Sequence, residues 1–134
     1  MASEIVKIDD WFQLKKLDKG GGVLMPFVQE IFLLECAVAG TWYVKKIKKR
    51  VAGLSKGTVV SLKREPENVH DFFAILVNNP QGEKLGYVPR DKNEVLARLL
   101  DAGKILYGKV SFIQEDDYED DSISIGIQIY MKDL

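Results

Sequence analysis

The sequence predicts a mostly β fold: a small antiparallel barrel of about six short strands carrying two short helices. Three observations predict it. Ser122-Ile123-Ser124-Ile125-Gly126-Ile127-Gln128-Ile129-Tyr130-Met131 alternates apolar and polar side chains almost without fault, the period of a strand with one face on a core. Further apolar and β-branched runs of strand length are separated by clusters of Gly, Pro and Asn. Two stretches carry the three-and-four spacing of an amphipathic helix.

Residues 1–30 read as an extension and residues 31–134 as the domain. Trp11-Phe12, Leu14 and Leu17 suit a short amphipathic turn that Gly20-Gly21-Gly22 ends. Ile31 to Ala39 is a continuous apolar run, the pattern of a strand buried on both faces. Val44, Ile47, Val51 and Leu54 then recur at helical spacing with lysines between, which predicts a short helix with a basic face, stopped by Gly57. Thr58 to Lys63 and Phe73 to Val77 are strand-like, and Asn78-Asn79-Pro80-Gln81-Gly82 is a hairpin loop returning through Lys84 to Val88. Asp91 followed by Glu94 resembles a capping box. Val95, Leu96, Leu99 and Leu100 face one side of the helix that follows, and Gly103 ends it. Leu106 to Ile113 is another strand.

The chain of 134 residues can bury a core without staples. No apolar run approaches the ~20 residues that span a bilayer. MASEIVKIDD lacks the basic start and apolar centre of a secretory signal. The lone Cys36 excludes an internal disulfide, so the reading is a cytoplasmic protein. The net charge of −1 hides an asymmetry. Lys45, Lys46, Lys48, Lys49, Arg50, Lys56, Lys63 and Arg64 fall in a stretch with no acid, whereas Glu115 to Asp121 carries six acids and no base. The basic stretch permits an anionic partner.

Catalysis by this chain is not expected. A nucleophile and base are offered only by Cys36 and His70, and Cys36 lies in an apolar run where thiols are inert. The same two residues fall short of the four ligands of structural zinc. Gly53-Leu54-Ser55-Lys56-Gly57-Thr58 has the letters of a phosphate loop in the wrong order. The acidic run lacks the alternation and the turn glycine of a calcium loop and reads as a solvated hairpin tip. No cofactor is expected.

Four blocks carry a resemblance: Val38-Ala39-Gly40-Thr41-Trp42-Tyr43; Leu62-Lys63-Arg64-Glu65-Pro66-Glu67-Asn68-Val69-His70-Asp71; Ala74-Ile75; and Leu85-Gly86-Tyr87-Val88-Pro89-Arg90. In order and spacing they resemble the HIRAN domain, including its stand-alone bacterial members. The resemblance implies an OB-like β-barrel and, from members appended to helicase-like ATPases, a pocket for the 3′ end of single-stranded DNA. In that pocket the aspartate of the block that reads Arg64-Glu65-Pro66 to Asp71 here holds the terminal hydroxyl, aromatics stack on bases and cations hold phosphates. Three positions depart from the pattern: Phe73 stands where many members have asparagine, Val69 replaces a frequent proline, and Trp42 stands where DNA-end binders carry a cation.

The candidate nucleic-acid-binding residues are therefore Trp42, Tyr43, His70, Asp71, Arg90, Lys45, Lys46 and Lys49, and each has an ordinary alternative. Asp71 either accepts backbone N–H groups at a strand entrance or holds a sugar hydroxyl. His70 supplies a ring for stacking or a proton for a phosphate. Of Trp42 and Tyr43, one is expected in the core and the other against a base. Arg90 either grips a phosphate beside the helix start or is an exposed charge near Asp91. The lysines either track a strand or form a solvated face, and Tyr87 is read as packing. The expected partner is single-stranded nucleic acid. The rival readings are a module that receives a peptide from a DNA repair, helicase, nuclease or phage-defence partner, and a degenerate nuclease accessory.

Overall fold

The computed structural model describes residues 29–115 and 122–133. The chain clusters into two units, residues 1–31 with 132–134, and Phe32–Met131. Of the first, the described part is the outer ends of two strands. Most of the expected N-terminal extension, residues 1–28, and most of the acidic run, residues 116–121, lie outside the described residues.

The predicted class is the observed one. Among the described residues, six strands form one antiparallel sheet: β1 (Gln29–Ala37), β2 (Val59–Arg64), β3 (Ile75–Asn78), β4 (Lys84–Tyr87), β5 (Ile105–Glu115) and β6 (Ile123–Asp133), in the order β1-β6-β5-β2-β3-β4. Two helices accompany them among the described residues, α1 (Ile47–Val51) and α2 (Arg90–Asp101), with a 3-10 turn at Thr41–Tyr43. The ladder leaves β1 and β4 at its two ends. They are joined just past β1 by a single antiparallel bridge, in which Ala39 N–H donates to Tyr87 O (2.7 Å) and Tyr87 N–H to Ala39 O (2.9 Å).

Gly86 makes that bridge possible. A Cβ at Gly86 would collide with the Ala39 carbonyl oxygen and come within 2.7 Å of Val38 Cγ1, so the two backbones meet only because this residue has none.

Period-two alternation sets the core. Ile123, Ile125, Ile127 and Ile129 are all at most 4 % exposed, each side chain worth about 1.5–3 kcal/mol of transfer free energy. They pack with Val60 and Leu62, Ile75 and Val77, Leu85, and Leu106 and Val110 from the other strands. On α2, Asn93, Leu96 and Ala97 face inward. The helix ends as predicted: Gly103, at φ 90°, donates to Leu100 O and Lys104 N–H donates to Leu99 O, the two bonds of a Schellman cap. No helix among the described residues is long and apolar enough to cross a membrane.

Four expectations are corrected. β1 is not buried on both faces. It ends the ladder, Cys36 is its one buried residue, and Phe32 is 53 % exposed. The basic helix is five residues long: Lys46 at φ 59° starts it after the 3-10 turn, and Ala52-Gly53 turn out of it before Leu54; Val44, Ile47 and Val51 are nonetheless buried as their spacing predicts. α2 begins at Arg90 with Pro89 as N-cap and no side-chain cap, so Asp91 sits inside the first turn, where its charge favours the helix N-terminus. Val95 faces outward, at 68 % exposure.

Candidate nucleic-acid interface

The segment between β2 and β3 is built by its own side chains. Asn68 Oδ1 accepts the N–H groups of His70 (2.8 Å) and Asp71 (3.1 Å), and Asp71 Oδ1 accepts that of Phe73 (2.9 Å). Backbone amides captured in this way are withheld from a ladder, so β3 starts at Ile75 rather than at Phe73.

Long-range bonds then lock the segment. Asn93 Nδ2, on the buried face of α2, donates to Asp71 Oδ2 (2.8 Å). Arg64 reaches the other end of α2, donating to both carboxylate oxygens of Asp101 (2.9 and 3.3 Å) and to Ala74 O (3.0 Å). Glu65 Oε1 accepts from Asn68 Nδ2 (2.8 Å) and from the Tyr87 hydroxyl (2.7 Å). Arg64, Glu65, Asn68 and Asp71 each hold part of this turn, so the block folds its own loop. These bonds are the structural role weighed for Asp71.

The bonds from Asn68 and then Tyr87 hold the Glu65 carboxyl below its ordinary value of 4.5. Burial, and then the bond to Glu65, push the Tyr87 hydroxyl up to about 12. A depressed folded value means that the stability Glu65 contributes is present above about pH 4.5 and is lost as the pH falls through the lower folded value. Glu65→Gln is accordingly expected to flatten the acid limb of a plot of melting temperature against pH. An acid limb identical to that of the unmodified protein would remove Glu65 from the loop's support.

Beside the turn lies a cleft of about 510 Å³, lined by Ala39, Gly40, Tyr43, Asn68, His70, Asp71, Ala74, Lys84, Tyr87, Val88 and Arg90. It straddles the Ala39–Tyr87 bridge. Tyr43 stands on its rim, 86 % exposed. The Asp71 side chain is 18 % exposed. A carboxylate offers about four lone-pair sites, of which Phe73 and Asn93 fill two. Arg90 Nε is 3.8 Å from Asp71 Oδ2, and its Nη2 donates to His70 O (3.0 Å). Lys84 Nζ lies 4.7 Å from the centre of the Tyr87 ring.

Of the residues expected from sequence, the cleft brings together Tyr43, His70, Asp71 and Arg90. Trp42, Lys45, Lys46 and Lys49 are exposed but do not line it. The expectation that one of Trp42 and Tyr43 is core is overturned. Both are exposed, at 62 % and 86 %, because a 3-10 turn rather than a strand carries them and the two-face alternation does not apply. Arg90 pairs with Asp71 rather than standing near Asp91 alone. Tyr87, read as packing, both packs and lines the cleft. Sequence reasoning missed Lys84; the one signal was its position two residues before Gly86, on the strand leading to Tyr87.

Arg50 is half-buried, and its Nη1 donates to Lys84 O (2.8 Å). Burial pushes the Cys36 thiol up to about 11, which keeps it protonated and unreactive. Among the described residues no three His, Cys, Asp or Glu side chains gather to hold a metal.

The sequence model of the HIRAN domain family matches residues 31–132. A crystal structure of a protein from Lactobacillus plantarum is similar, with 30 % identity over 81 % of this chain and 100 % of that one, at a TM-score of 0.71. The crystal structure of the HIRAN domain of human HLTF is similar at 22 % identity over 77 % of this chain and 78 % of that one, with a TM-score of 0.58. An NMR structure of the same human domain in its DNA-bound conformation gives 22 % identity, 76 % and 79 % coverage and a TM-score of 0.50. The likeness to the human domain is one of fold. No protein of curated function matches the chain.

Proposed function

The chain belongs to the HIRAN family, and we propose that it is a non-catalytic module that binds single-stranded nucleic acid in the cleft beside Asp71, including at a free 3′-hydroxyl end. The observation that carries this reading is the convergence of an exposed aromatic, Tyr43, a carboxylate with lone pairs to spare, Asp71, and the exposed cation Arg90 on one concave surface. These are the group types that a base, a sugar hydroxyl and a phosphate require. The human HIRAN domain has a DNA-bound conformation, which supports the same ligand class for this chain. A neutral hydroxyl can donate to Asp71 where a terminal phosphate would be repelled. Trp42, Lys45, Lys46 and Lys49, exposed beyond the cleft, suit the strand leading away from the end. The binding domain is residues 31–134, with residues 1–30 an extension of it.

Fluorescence anisotropy with short labelled oligonucleotides tests the reading. Binding is expected at low salt, weakening as salt rises because phosphate contacts release counterions, and a 3′-phosphorylated strand is expected to bind less tightly than a 3′-hydroxyl strand. Equal affinity for the two would remove end recognition. No binding at low salt would remove the nucleic acid. A second reading, a docking site for a protein partner, is favoured by one observation: Val69 and Phe72, on either side of His70-Asp71, are 89 % and 63 % exposed. Its affinity would hardly change with salt.

A further inference from the structure

The geometry points to Lys84 as a phosphate-binding residue of the cleft that sets affinity for the nucleic-acid strand, acting together with Arg90. This inference rests on the reading of the cleft given above. Lys84 lines the cleft, its side chain is exposed, and it stands at the start of β4, away from the basic stretch that charge patterning singles out.

Three features make it a binding cation rather than a solvated one. Its backbone is fixed, because the Arg50 guanidinium donates to its carbonyl oxygen (2.8 Å) and β4 pairs with β3 through Lys84 and Asn78. Its ammonium is placed by the Tyr87 ring, 4.7 Å from the ring centre, which orders a long side chain that is otherwise free to move. Among the described residues no carboxylate lies within ion-pair distance of it. The nearby Glu65 carboxylate is bonded to Tyr87 and Asn68. An ammonium has three donors, and the ring takes up one face of it, so donors remain for the oxygens of a phosphodiester. The other cation in the cleft, Arg90, already bonds His70 O and sits beside Asp71. Lys84 thus adds to Arg90 a second cation for a phosphate, one with no carboxylate within ion-pair distance among the described residues.

The competing role is structural: an ammonium packed on Tyr87 that steadies the Glu65 carboxylate. That role would alter melting and the acid limb, but it would not change how binding responds to salt. Anisotropy titrations of a labelled 3′-hydroxyl oligodeoxythymidylate over a range of salt, with the unmodified protein, Lys84→Gln and Lys84→Arg, separate the two. Lys84→Gln is expected to bind roughly tenfold more weakly, the scale of one hydrogen bond to a charged group. Its plot of log affinity against log salt should be shallower by about 0.7, the value for one phosphate contact on a single strand. Lys84→Arg should restore both. If the unmodified protein binds and Lys84→Gln matches it in affinity and slope, the role of Lys84 is overturned while the cleft stands as the site. If the unmodified protein does not bind, both fall.

Discussion

Gly86→Ala is expected to destabilise the protein by about 1–3 kcal/mol, whether the clash is kept or relieved. The added methyl would be driven into the Ala39 carbonyl oxygen, a backbone atom, and against the Val38 side chain at Cγ1. Overpacking of this kind costs about 1–3 kcal/mol. Relief by separation would break the two bonds between Ala39 and Tyr87, each worth about 0.5–1.5 kcal/mol net. The same separation would pull Ala39 and Gly40 away from Tyr87 and Val88 across the cleft, so oligonucleotide affinity should fall with stability. Urea unfolding followed by circular dichroism measures the effect. Gly53→Ala is the control, because nothing lies within 4 Å of its added Cβ, and it should shift stability by no more than about 0.5 kcal/mol. If Gly86→Ala unfolded at the same urea concentration as the unmodified protein, the close approach would not be a constraint.

Asp71→Ala is expected to cost about 1.5–4.5 kcal/mol of stability. It strips the acceptor from Phe73 N–H and from Asn93 Nδ2, and Asn93 is 2 % exposed. The buried Asn93 donor left without a partner costs about 1–3 kcal/mol, and the half-buried Phe73 amide loses a bond worth about 0.5–1.5 kcal/mol. Asp71→Asn behaves differently. Its oxygen can keep the Phe73 amide, and its new amide group can pair with Asn93 once that side chain turns its own oxygen inward. The expected stability loss is below about 1 kcal/mol. Affinity for a 3′-hydroxyl end should nevertheless fall by about 1–2 kcal/mol, because the charged acceptor for the sugar is gone. Thermal melts and anisotropy on the two variants separate folding from binding. An Asp71→Asn protein that binds 3′-hydroxyl and 3′-phosphate strands just as the unmodified protein does would leave Asp71 with the turn alone.

What could be read from the chain was whatever is local and periodic. The isoleucines of β6 declare their inward face every second residue, and Gly103 declares a helix end, because both signals are complete within a few neighbours. β1 was misread because an apolar run looks the same in the middle of a sheet and at its edge; only the strand order, a property of the whole chain, tells them apart. Trp42 and Tyr43 were misread because two-face alternation was assumed for a segment that turns.

The site was legible in outline only. A family pattern pointed to the block from Arg64 to Asp71, but its partners come from far along the chain: Tyr87 and Asn93 lie 22 residues beyond Glu65 and Asp71, and Asp101 lies 37 beyond Arg64. No sequence window holds such pairs. Lys84 was passed over for the related reason that one lysine in a hairpin strand looks ordinary until Tyr87 and Arg50 are seen to hold it.

The single bridge between Ala39 and Tyr87 has a consequence for the protein in use. Ala39 and Gly40 belong to one end of the ladder, and Tyr87 and Val88 to the other, and all four border the cleft. A molecule seated there rests on both leaves of one joint and acts as a clasp. Parting the leaves and letting the guest go become a single motion, and whatever free energy the guest contributes is added to the cost of prising the wall apart.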